Sequence, residues 1–118
     1  MLGAVFEVSN TPGAGFLGKV YERALLHELK ILGFRAASQA SFDVVYKGQR
    51  VGEYFADILA EDVLVIELKC VERFANEHIA RCINYLRASG RNVCLLIDFQ
   101  RPKVEWKRVV YAEAGHFL

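Results

Sequence analysis

Val63-Leu64-Val65-Ile66-Glu67-Leu68-Lys69-Cys70 is the most apolar strand-like run in the chain, and it reads as the central strand of a sheet. Side chains alternate across a strand. Glu67 and Lys69 therefore share a face with Val63 and Val65, while Leu64, Ile66 and Leu68 point to the other. A carboxylate and an ammonium in such a strand are costly unless paired or hydrated. Glu67 and Lys69 are either a solvated stripe or part of a site.

Working outward from this run, two strand-like segments precede it. Ser41–Tyr46 is closed by Lys47-Gly48, and Arg50–Ala60 by Glu61-Asp62. Such short turns imply antiparallel hairpins. A three-residue turn centred on Asp62 would set Asp57 opposite Glu67. After the run, a helix is expected from about Arg73 to Ala88, with Ala75, Ile79, Cys82 and Leu86 as its apolar stripe and Ser89-Gly90 at its end. Asn92–Phe99 (NVCLLIDF) reads as a buried strand. It follows a helical crossover and so should lie parallel to the central one. Val104–Tyr111, with alternating charge, reads as an edge strand.

At the front, a short apolar segment runs into a loop, Asn10-Thr11-Pro12-Gly13-Ala14-Gly15. Phe16–Leu32 then reads as a helix, with Tyr21, Leu25, Leu29 and Leu32 on one side and Gly33 just past its end. The expected order is α-β-β-β-α-β-β, an α/β fold with a mixed sheet flanked by helices, in one domain spanning residues 1–118.

Composition bounds the function. The chain has 118 residues, enough to bury one core. It is 53% hydrophobic, a slight apolar surplus that would suit a subunit interface such as that of a homodimer. A net charge of +1 does not by itself mark a nucleic-acid binder, so any phosphate-binding surface must be a local patch. Cys70, Cys82 and Cys94 lie in apolar stretches without metal-ligand spacing and read as buried free thiols of a reducing, cytoplasmic setting. No secretory signal and no run long enough to span a bilayer is expected.

Asp57, Glu67 and Lys69 form the chemical constellation. Two adjacent carboxylates repel, and a hard divalent cation removes that conflict. Mg²⁺ takes one or two carboxylates together with phosphate and water. Lys69 would then orient water or offset charge in the transition state of a phosphodiester hydrolysis. Alternatively, Asp57 simply pairs with a nearby cation. Glu22 lies on the apolar side of its helix, three residues before Leu25 and seven before Leu29, so it points toward the sheet or pairs with Lys19 or Arg23. His78, Arg81 and Tyr85 follow one another at helical spacings, as a phosphate- or base-contacting face or a solvated flank. Lys103, Lys107 and Arg108 around Trp106 suit a charge-defended edge strand better than a single-strand binder. No phosphate-cradling glycine loop is present, and no Ser or Cys nucleophile has an evident base.

The pieces GFLGKVYERAL (15–25), VYKGQRVGEYFADILAED (45–62), VLVIELKCVE (63–72), HIARCINYLRASG (78–90), VCLLIDFQ (93–100) and VEWKRVV (104–110) together resemble the small PD-(D/E)XK proteins called the GxxExxxxR family. The resemblance covers almost the whole chain. It implies a restriction-endonuclease-like core in which Asp57 is the metal-binding acid, Glu67 and Lys69 are the (D/E)-x-K pair, and Glu22 is a supporting acid. It also implies Mg²⁺ or Mn²⁺ as cofactor and DNA or, less often, RNA as substrate.

Three departures stand out. Gly18 occupies the family's Glu position, so Glu22 must substitute for that acid or activity falls. Arg81 replaces the usual Gln before Asn84-Tyr85-Leu86; it would bind phosphate or else displace the metal by charge. Asp98-Phe99-Gln100 replaces Asn-Phe-Gly. Three readings therefore stay open. The chain is a metal-dependent nuclease-like hydrolase, a nucleic-acid-binding module that does not cut, or a structural subunit on an inactive nuclease fold.

Overall fold

The computed structural model describes residues 2–10, 18–69, 75–99 and 104–111. Its elements run α1 (Leu2–Asn10), α2 (Gly18–Ile31), β1 (Ala36–Tyr46), β2 (Gln49–Ala60), β3 (Leu64–Lys69), α3 (Asn76–Ser89), β4 (Val93–Asp98) and β5 (Glu105–Val110). The five strands form one sheet in the order β1-β2-β3-β4-β5. β3 and β4 are parallel and the other pairs antiparallel, as a helical crossover between β3 and β4 requires.

Two readings of the sequence need correction. The first apolar segment is a helix, so the order is α-α-β-β-β-α-β-β. Ala4, Val5 and Val8 are its buried side, and nine residues were too short a window for that spacing to stand out. β1 also begins at Ala36, not Ser41. Ala36-Ala37-Ser38 has little intrinsic strand preference but is recruited by pairing with Ile58–Ala60. The loop residues Thr11–Gly15, the first turn of the expected helix at 73–74, and Cys70 lie outside the described residues.

Local chemistry sets the turns. Lys47 and Gly48 both adopt positive φ (48° and 81°), the geometry that matches the twist of a two-residue hairpin. The β2–β3 turn uses Glu61 and Asp62 at φ 53° and 58°, and Glu61 is held by the Arg35 backbone N–H at 2.9 Å and by its guanidinium at 3.2 Å. Gly90 ends α3 in the left-handed conformation at φ 71°.

The sheet separates two cores. One joins Val5, Tyr21, Leu25 and Leu29 of α1 and α2 to Ile58, Ala60, Ile66, Leu95 and Ile97. Tyr21 and Phe99 stack within it, ring centroids 4.6 Å apart. The other joins Cys82, Tyr85 and Leu86 of α3 to Ala56, Val65, Cys94, Leu96 and Val109. Ala56 and Ile58 are two residues apart on β2 yet belong to opposite cores, which regular alternation forbids. On β1 the same switch separates Phe42 from Ala36. Pairing runs Ser38↔Ile58 and then Ala40↔Ala56, so both strands reverse faces at the position of Gln39 and Asp57. Among the described residues no helix is long and apolar enough to cross a membrane.

Candidate active site

β2 and β3 pair only at Ile58↔Ile66, Leu59↔Val65 and Ala60↔Leu64. Carried one step further, that register sets Asp57 across from Glu67, but there the ladder stops. Carboxylates take over the backbone groups left behind. The Asp57 N–H donates to Glu67 Oε1 at 3.2 Å, and the Leu68 N–H donates to Asp57 Oδ2 at 2.8 Å. The strands part at the face reversal, which frees Asp57 to turn into the gap. Glu67 shares the α3 face with Val65, and Lys69 lies on that face too.

Burial sets the electrostatics. Glu67 is 2% exposed, and that burial, with the Asp57 charge second, pushes its carboxyl up to about 8. The Asp57 N–H and Lys69 oppose the rise. Asp57 is also raised, first by burial and then by Glu22, while the Leu68 N–H, Lys69 and Gln39 favour its ionised form. Two crowded acids with upward-shifted pKa values are a pair whose ionisation calls for a cation.

Glu22 approaches from the opposite face. It is buried on α2 and lines a cleft of about 190 Å³ with Gly18, Lys19, Asp57 and Leu68. Gly18, where the resemblance places an acid, is one helical turn from Glu22 in the same cleft. The Lys19 ammonium donates to Glu22 Oε2 and the Gln39 amide to Oε1, each at 2.7 Å. Asp57 therefore lies between Glu22 on the α2 side and Glu67 on the α3 side. Among the described residues, no three acids, histidines or cysteines gather closely enough to form an all-protein metal cage.

The expected face of His78, Arg81 and Tyr85 is not one surface. Tyr85 is 1% exposed and packs edge-on against Tyr54, centroids 5.3 Å apart, so its ring is not available to stack on a base. Its hydroxyl instead accepts from Arg81 Nε at 3.1 Å. Helical spacing alone could not distinguish an inward Tyr from an outward one. His78 Nδ1 accepts the Ala75 N–H at 2.9 Å, which caps α3 and commits that nitrogen to the helix end. Arg81 is exposed, and the Glu67 and Asp57 charges act on it. Cys82 and Cys94 are buried free thiols in the α3 core.

A model of the PD-(D/E)XK nuclease superfamily matches residues 1–109. The chain belongs to this superfamily. Its fold is similar to the crystal structure of SSO0001, with 15% identity, a TM-score of 0.63, and 85% of this chain covered against 53% of that one. It is also similar to an alkaline exonuclease, LHK-Exo, from Laribacter hongkongensis, with 18% identity, a TM-score of 0.59, and coverage of 84% and 57%. The PD-(D/E)XK chain thus spans little more than half the length of these structures. No curated protein matches it. Gln39, which links Glu22 toward Asp57, escaped the sequence reading because no spacing ties residue 39 to residue 22.

Proposed function

We propose that this PD-(D/E)XK chain is a divalent-cation-dependent hydrolase of nucleic-acid phosphodiesters. The reading rests on one observation. Asp57 and Glu67 face each other where the β2–β3 ladder ends, each carboxylate accepting a backbone N–H from the other's strand. The donor set fits a hard cation such as Mg²⁺ or Mn²⁺, which takes carboxylate oxygens and completes its shell with water and phosphate rather than requiring a third protein acid. When bound, such a cation makes hydroxide accessible near neutral pH and offsets charge on a phosphoryl oxygen.

The chain's own groups would do the rest. Asp57 and Glu67 hold the cation. Lys69, on the Glu67 face, stabilises charge developing on the phosphate. Arg81 offers a guanidinium to a flanking phosphate while Tyr85 fixes its Nε. Glu22 adds negative charge to the cleft beside Asp57. The second reading, a nucleic-acid-binding module that does not cut, is favoured by Gly18 where the family carries an acid.

Calorimetric titration with Mn²⁺ separates the readings. The wild type should bind and Asp57→Ala should not. On double-stranded DNA with Mg²⁺, Lys69→Ala should lose cleavage while keeping its circular dichroism spectrum and Mn²⁺ binding. Mn²⁺ binding by wild type without cleavage of DNA or RNA would support the binding module. No Mn²⁺ binding by either protein would remove the metal-dependent reading.

A further inference from the structure

Gln39 adopts φ 52° in the middle of β1. The other described non-glycine residues at positive φ, Lys47, Glu61 and Asp62, sit in turns. Glycine or asparagine is the usual occupant of this backbone conformation. If β1 needed only the kink, either would serve better than glutamine, so the side chain is the feature to explain. Its amide donates to Glu22 Oε1 at 2.7 Å and faces Asp57 from the partner position across the hairpin. Lys19 also bonds Glu22, but it lies on the same helix at i,i+3 and cannot tie that helix to the sheet. Gln39 makes the link between elements.

We propose that Gln39 is a positioning residue of the metal centre: its amide draws the α2 acid Glu22 into the cleft beside Asp57, across the kink that turns Asp57 out of the sheet. The proposal rests on the metal-dependent reading above. It assigns the glutamine to a group the metal ligands lean on, not to a ligand. Such supporting partners typically change metal affinity by about 10- to 100-fold when removed.

Gln39→Gly is the informative variant, because glycine accepts the same backbone conformation without strain while removing the amide. Its thermal midpoint should equal or exceed that of the wild type, and its Mn²⁺ affinity by calorimetry should fall at least about tenfold. Glu22→Gln should weaken Mn²⁺ binding to a similar degree. The double variant should bind no worse than Glu22→Gln alone, since the amide acts through that carboxylate. Gln39→Asn, which also tolerates positive φ but is one methylene short, should match the glycine variant. A Gln39→Gly protein that binds Mn²⁺ as tightly as the wild type, or a double variant whose losses simply add, overturns the assignment and leaves the metal site standing. A wild type that fails to bind Mn²⁺ removes both.

Discussion

Replacing Glu67 with Gln should stabilise the metal-free protein, and by an amount that depends on pH. The Glu67 carboxyl lies at about 8 in the fold against 4.5 for an unconstrained side chain. Each unit of pKa is worth about 1.36 kcal/mol, so ionising Glu67 in the fold costs at most ~5 kcal/mol more than in the unfolded chain. The effective dielectric around buried charges in proteins exceeds that of a dry interior, which reduces this to roughly 2–5 kcal/mol. Between pH 4.5 and 8 the folded state holds a proton that the unfolded state has released. Stability therefore falls as pH rises through that window, and the full penalty applies above 8. Gln carries no charge and keeps a carbonyl to accept the Asp57 N–H.

The assay is thermal unfolding of Glu67→Gln and wild type in chelator from pH 4.5 to 9. The two midpoints should nearly coincide at pH 4.5. By pH 8.5 the variant should melt higher by roughly 10 °C, taking about 4 °C per kcal/mol for a domain of this size. Adding Mn²⁺ at pH 8.5 should narrow the gap by raising only the wild type. A gap that is constant across pH, or a variant that melts lower at pH 8.5, would refute the reasoning.

Gly18→Glu places a third carboxylate in the cleft of Glu22 and Asp57 and should tighten Mn²⁺ binding in calorimetry, while the added charge lowers the metal-free melting point at pH 8; unchanged affinity would count against Gly18 as the site of a lost acid. Tyr85→Ala should cost about 3–5 kcal/mol of stability by denaturant unfolding, as for other buried aromatics, whereas Arg81→Ala should leave stability within about 1 kcal/mol and weaken nucleic-acid binding in a salt-sensitive way.

Strand alternation and turn length are local rules, and they carried a good part of this molecule. The spacing of Glu67 and Lys69 placed both on one face. The three residues Glu61–Val63 fixed the hairpin so that Ile58 meets Ile66, which brings Asp57 across from Glu67. The helical crossover after β3 made β4 parallel. None of these needs knowledge of any distant part of the chain, because a two-residue period and a short turn leave one register.

Packing between distant segments supplied the rest. Alternation predicts that Ala56 and Ile58 face the same way, and they do not, because both strands of the hairpin reverse where two separate cores meet the sheet. Helical spacing groups Tyr85 with His78 and Arg81, but Tyr54 and the α3 core bury it. Gln39 reaches Glu22 across seventeen residues of sequence because α2 lies beside the kink in β1. A short-range pattern says which side chains share a face of one element; which other element covers that face is set by the summed burial of the whole chain.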